Sequence, residues 1–307
     1  MENHHNETRE ISAINTEKTM KLERNALKHS DHKPESLRDF NNLHSNQLKP
    51  ETVQQLKAEA QHTPALKNGD AIMKDNTGHA AEKYAQVVIK SEGLPDGYGR
   101  KHFNDVIEVK IDHNNHGIDL IGVEKTGQPN MIEVKKRAGI GDGLGSPRIE
   151  ASGLEPETHA LMDEIKAERA RNPLEQERVA SRLQQAKEQW PNSPEKWGDY
   201  DEELSTLQMG GAWSRDRWFK MIKNSESRAQ LQAAGVDSKY LGNYAKNGSF
   251  EPGQLSNPHS AEWQDIMDRR KIIIVGHERD QASMALARDA MFRRKANVIG
   301  MTVSDLN

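Results

Sequence analysis

The chain has 307 residues, of which only 34% are hydrophobic and 29% charged, and its mean hydropathy is −0.92. That composition suits one domain with additions or two small ones, with part of the chain outside any core. There are no cysteines, which excludes disulfides, thiolate metal ligands and a cysteine nucleophile. A net charge of −4 and a pI near 6.4 do not make the global footprint of a nucleic-acid binder.

Residues 1 to about 70 are rich in Asn, His, Lys and Glu, with only scattered apolar pairs such as Val53 and Leu56. The expectation is a polar leader that is disordered or forms short helices, for instance after Pro50, but builds no core. Its start, Met1-Glu2-Asn3-His4-His5-Asn6, lacks an apolar signal-peptide segment, and no run in the chain approaches the length of a membrane span. A soluble protein that does not use the general secretory route is expected.

The core is expected over 71–303. A helix runs from about Ala80 to Ser91, with Thr77 as a capping candidate, and the Gly93 to Gly99 segment breaks it. Strands follow near Val106 to Asp112, Gly117 to Val123 and Met131 to Lys136, then a glycine-rich loop at 139–145. Residues 150–206 read as an inserted, charged helical hairpin: apolar residues recur at helical spacing from Glu157 to Ile165, Pro173 ends that pattern, and Val179, Leu183 and Ala186 mark a second helix. The chain re-enters the core with a helix over Gln208 to Ile222. A buried strand at Lys271 to Gly276, a helix over Gln281 to Lys295 and a last strand at Val298 to Val303 close an α/β fold.

Three short basic clusters, Lys135-Lys136-Arg137, Arg269-Arg270-Lys271 and Arg293-Arg294-Lys295, are of a kind that reaches phosphates, although such runs are more often solvated helix faces. Most of the five tryptophans are expected in the core. His113 and His116 flank the most informative segment, but no histidine pair has zinc-site spacing.

That segment is Gly117-Ile118-Asp119-Leu120-Ile121-Gly122, joined through a turn containing Gly127, Pro129 and Asn130 to Ile132-Glu133-Val134-Lys135. Turn residues between two apolar runs predict an antiparallel hairpin. Strand alternation then turns Glu133 and Lys135 to one face and Ile132 and Val134 to the other, with Asp119 on the partner strand. Facing positions lie roughly 5 Å apart, so two carboxylates and an ammonium share one patch. Each piece alone has a blander reading as a solvated face or a cross-strand ion pair. The ordered set, a helix glutamate, a strand aspartate and then Glu-x-Lys, favours chemistry.

This order resembles the PD-(D/E)XK nuclease superfamily, with Asp119, Glu133 and Lys135 at the signature positions. Gly78-His79-Ala80-Ala81-Glu82-Lys83-Tyr84 looks like that family's first helix, which commonly adds a carboxylate, here Glu82. Gln208-Met209-Gly210-Gly211-Ala212-Trp213 resembles a helix start in nuclease domains of bacterial polymorphic toxins. The pattern departs in having Ile118 rather than Pro before the first acid and a long insertion before Gln208. The resemblance implies a restriction-endonuclease-like core, a mixed central sheet flanked by helices. It also implies a metal-dependent DNase in which Asp119, Glu133, Glu82 and the Val134 carbonyl hold magnesium or manganese, Lys135 orients water, and Gln208 positions water or substrate.

The same resemblance implies an antibacterial effector, made in a bacterial cytoplasm, exported by a type VI-like route with the leader engaging a carrier, and acting on DNA in the target cell. Such a toxin needs a cognate immunity protein. A restriction, repair or recombination endonuclease is the alternative, and a catalytically silent nucleic-acid-binding or docking module with the same fold is a third reading.

Overall fold

The computed structural model describes residues 48–96, 99–109, 118–136, 155–159, 173–189, 209–277 and 296–303, with single positions 163, 167, 171, 191, 279 and 284. The first described helix, α1 (Pro50–Glu59), starts with a proline at a position where a missing N–H costs nothing. A 3-10 turn at Pro64–Lys67 follows. Helix α2 (Gly69–Lys74) is capped by Asn68, whose side-chain oxygen accepts from the Asp70 and Ala71 amides at 2.7 and 3.4 Å.

Leu56, Leu66 and Ile72, one from each of these pieces, are fully buried in the same cluster as helix α3 and the sheet. The expectation that nothing before about residue 70 builds a core is therefore wrong from residue 48 onward. Three short polar elements each supply one large apolar side chain, a pattern too sparse for periodicity to register. Residues 1–47 lie outside the described residues.

Helix α3 (His79–Glu92) is the predicted helix. Its start is capped by a loop: Asp75 accepts from the Ala80 amide at 2.8 Å, and Thr77 accepts from the His79 amide at 3.2 Å. Gly93 ends it at φ 75°, where a side chain would meet the Lys101 carbonyl oxygen at 2.5 Å, so only glycine fits. A two-stranded antiparallel ribbon, β1 (Leu94–Asp96) with β2 (Gly99–Lys101), comes next.

The central sheet has five strands in the order β3-β4-β5-β8-β9: β3 (Asp105–Ile107), β4 (Leu120–Val123), β5 (Pro129–Lys136), β8 (Lys271–His277) and β9 (Asn297–Val303). The first three form an antiparallel meander, and β5, β8 and β9 run parallel. The result is an α/β fold around a mixed sheet. The β4–β5 hairpin has the predicted direction, and the strand expected over Val106 to Asp112 is described as Asp105–Ile107.

On one face, Ala81, Tyr84 and Val88 of α3 pack with Ile132, Val134, Ile273, Val275 and Met301, and the Tyr84 hydroxyl donates to the Thr302 carbonyl at 3.1 Å. The alternate positions Met131, Ile272 and Ile274 are equally buried, so the sheet is covered on both sides.

The long excursion between β5 and β8 carries α4 (Pro173–Gln189), α5 (Gly211–Lys223), α6 (Ser225–Ala233), a small ribbon of β6 (Asn243–Tyr244) and β7 (Phe250–Glu251), and α7 (Ala261–Asp268). Trp213 and Trp218 of α5 and Trp263 of α7 are buried, as expected of core tryptophans. The insertion is anchored where it begins: Arg215 donates to the Glu157 carbonyl at 3.0 Å, the Glu155 amide donates to Asp216 at 2.8 Å, and Lys223 pairs with both Glu155 and Glu157. Helix α4 is the second inserted helix; of the first, residues 156–159 are helical, with single positions beyond. The expected helix over Gln281 to Lys295 lies almost wholly outside the described residues, as do Trp190, Trp197, His113 and His116. No described helix is long and apolar enough to cross a membrane.

One of the three basic clusters is turned inward. Arg270 and Lys271 are buried, and Arg269 is held by Asp265 at 2.8 Å and Glu124 at 3.0 Å. This trio is structural, not a phosphate contact. Together with Lys101 and Asn130, which also bind Glu124, it fixes the turn end of the β4–β5 hairpin to α7. Arg293-Arg294-Lys295 lies outside the described residues.

Candidate functional site

The opposite end of that hairpin gathers the predicted residues. In the β4–β5 register Leu120 faces Ile132 and Ile121 faces Met131, so the next step outward sets Asp119 against Glu133. Asp119 follows the ladder with its side chain: one carboxylate oxygen accepts the Val134 amide at 2.7 Å. In an extended strand a residue's N–H and C=O share one edge. The Val134 carbonyl therefore faces the Asp119 edge, not β8. Glu133 is 1% exposed and accepts a hydrogen bond from Lys135 at 2.6 Å, which bears out the prediction that these two share a face.

Glu82 comes from the first turn of α3 and stands within electrostatic reach of this pair. Burial, then the charges of Glu133 and Glu108, raise its pKa to about 7, while Lys135 acts the other way. Asp119 is pushed well above the usual carboxylate range by burial and then by Glu133, again against the pull of Lys135. For Lys135, burial works to lower the pKa, but the attraction of Glu133 and Asp119, the hydrogen bond to Glu133 and the charge of Glu82 together raise it. Two like charges 5 Å apart repel by on the order of 3 kcal/mol at an effective dielectric of 20. Three carboxylates share one ammonium, so their ionised forms oppose one another and Glu82 and Asp119 hold their protons more tightly than usual, a cost that a cation would relieve.

Glu82, Asp119, Glu133 and Lys135 are brought together; Gln208 lies outside the described residues. Two contributors escaped the sequence reading. Glu108 stands just past β3, two residues beyond Val106, where it adds to the charge on Glu82 and pairs with Lys83 at 2.7 Å. Asp75 holds the start of α3 with its carboxylate and accepts a hydrogen bond from Lys136 at its carbonyl. The Asp75-x-Thr77 spacing ahead of the helix was a legible capping signal.

The donor set is oxygen only, the kind that suits a hard divalent cation. As the side chains stand, no group of three or more His, Asp or Glu among the described residues is close enough to enclose an ion. The fit to magnesium or manganese therefore rests on donor chemistry and on the raised pKa values of Glu82 and Asp119. Compared with family models, with curated proteins and with solved structures, the chain matches none.

Proposed function

We propose that the protein is a metal-dependent deoxyribonuclease of the PD-(D/E)XK type. The observation that carries this reading is the convergence of Asp119, Glu133, Lys135 and Glu82, three residues from one hairpin and one from a helix, at one end of a mixed sheet. A structural ion pair has no need of three carboxylates whose charges oppose one another, and such perturbed groups cluster at functional sites.

Phosphodiester hydrolysis is slow because water must approach an anionic phosphate. Asp119, Glu133 and Glu82, with the Val134 carbonyl, would hold the magnesium or manganese, which when bound polarises the scissile phosphate and acidifies water. The Val134 amide fixes the Asp119 carboxylate in place. Lys135, held at Glu133, orients the attacking water and offsets charge growing on the phosphate oxygens. Gln208 is assigned to positioning of water or substrate by resemblance alone.

The cellular role we favour is that of an antibacterial effector with a cognate immunity protein, a reading supported by the toxin-like Gln208 to Trp213 segment. Purified protein should cut duplex DNA with magnesium or manganese and stop on addition of EDTA. Full activity in EDTA, or equal cleavage of RNA, would overturn the reading. Expression inside a bacterium should arrest growth and destroy the chromosome, and Glu133→Gln should abolish both effects. DNA cleavage in the tube without growth arrest in the cell would assign the chain to restriction, repair or recombination.

A further inference from the structure

Helix α2 lies across the ends of the parallel strands, next to the candidate site. Its C-terminal flank reaches the site: the Asp75 carbonyl accepts from Lys136 of β5, and the charge of Asp75 acts on Glu82. Its N-terminal end reaches the end of β8. Gly69 is packed so closely that a Cβ there would lie 3.3 Å from the His277 ring and 3.4 Å from Val303. Asp70 then pairs with His277 at 2.9 Å and with Arg279 at 3.2 Å.

Helix α2 thus links the ends of β8 and β9 to the start of α3. The surface around it carries exposed Lys67, Lys74 and His79 and Arg279 with 73% of its side chain exposed. Against these stand Asp70 and Asp75, and Asp75 is engaged in capping α3.

We infer that Arg279 and His277, with Lys136 between them and the carboxylates, form a second phosphate subsite. It grips the DNA strand at a phosphate beside the one that is cut. This rests on the nuclease reading and deepens it by giving the strand a direction across the site. In the free protein Asp70 holds the two donors in place of phosphate. DNA takes over those hydrogen bonds, and Asp70 weakens its binding by repulsion.

The test uses the full chain with Glu133→Gln, so that DNA is bound without being cut, and a fluorophore-labelled duplex read by anisotropy over a range of NaCl. Adding Arg279→Ala should weaken binding several-fold and reduce the slope of log affinity against log salt by about one. His277→Ala should weaken it, and Asp70→Asn should tighten it several-fold. Lys246→Ala, an exposed lysine on the β6–β7 ribbon, should change neither affinity nor slope. Arg279 and Asp70 are more than half exposed, so their variants keep the test open even if His277→Ala fails to fold. Unchanged binding in Arg279→Ala and Asp70→Asn, or an equal loss in Lys246→Ala, overturns the subsite. Cleavage by the unaltered chain is measured separately: if it cuts DNA while these variants bind like their parent, the subsite alone falls, and if it cuts none, the nuclease reading fails.

Discussion

The Val134 amide donates to the Asp119 carboxylate at 2.7 Å, across the point where the β4–β5 ladder gives way to side chains. This bond sets the aspartate beside Glu133 and turns the Val134 carbonyl to the same edge. A backbone group and the side chains of Asp119, Glu133 and Lys135 from a single hairpin thus define most of the candidate site, to which α3 adds Glu82.

Replacing Glu133 by Gln or Lys135 by Ala should each lower DNA cleavage at least a hundredfold, the scale set by losing one positioned electrostatic group. Circular dichroism should stay that of the parent, while Lys135→Ala, which leaves the buried Glu133 carboxylate without its ammonium, should lower the melting temperature. Cleavage by Lys135→Ala at the original rate would refute the assignment.

The Asp119–Val134 bond makes a separate claim. Asp119→Asn keeps an oxygen that accepts the Val134 amide but loses the charge, so it should retain stability and lose activity. Asp119→Ala should lose both, with a stability cost of about 1–3 kcal/mol from the amide left without its partner. Urea unfolding of the two variants side by side distinguishes them, and equal stability would show that the bond contributes nothing.

Leu56→Ala should cost about 2–5 kcal/mol, the range for emptying a fully buried leucine site. A chain beginning at residue 71 loses Leu56 and Leu66 together and should fail to fold. A chain beginning at Leu48 keeps both and should melt cooperatively. If the chain beginning at residue 71 were active and stable, α1 would be dispensable despite its burial.

Glu92 gives stability a defined pH dependence. Burial acts to raise its pKa, but hydrogen bonds from Thr52 at 2.6 Å and the Lys49 amide at 2.8 Å, with the charges of Lys49 and Arg100, bring it below the ordinary value. A carboxylate depressed in the folded state stabilises fully above its unfolded pKa, about 4.3, and that stabilisation is lost as pH falls through the folded value. Glu92→Gln should therefore be less stable than the parent at pH 7, by roughly 1–3 kcal/mol. The gap should close as pH falls below about 4 in urea titrations. A gap that widened in acid would contradict the sign.

Arg215 is fully buried between the Phe219 and Trp263 rings and donates to the Leu255 and Ser256 carbonyls at 2.7 and 2.8 Å. Lysine lacks the planar fork that reaches several acceptors at once. Arg215→Lys should cost about 2–4 kcal/mol and release the start of the insertion, which limited proteolysis near residue 157 would detect.

Local pattern made the hairpin legible. Alternation over Ile132 to Lys135, a turn of Gly127, Pro129 and Asn130, and Asp119 one step beyond an apolar run together define direction, register and shared face. The apolar strands at Lys271 and Val298 and the helix stopping at Gly93 are equally local, because one residue's backbone preference or a run's period decides them. Tertiary structure alone decided that Leu56, Leu66 and Ile72 belong to the core, since each is a single apolar residue whose burial depends on partners far along the chain. It alone turned Arg269, Arg270 and Lys271 inward, because charge in a sequence carries no record of the acids and carbonyls that fold against it. It also brought Asp70 into a pair with His277 and Glu82 within electrostatic reach of Glu133, from elements about 50 to 200 residues apart in the chain. No spacing rule reaches that far, and only the packing of helices on a finished sheet brings such residues together.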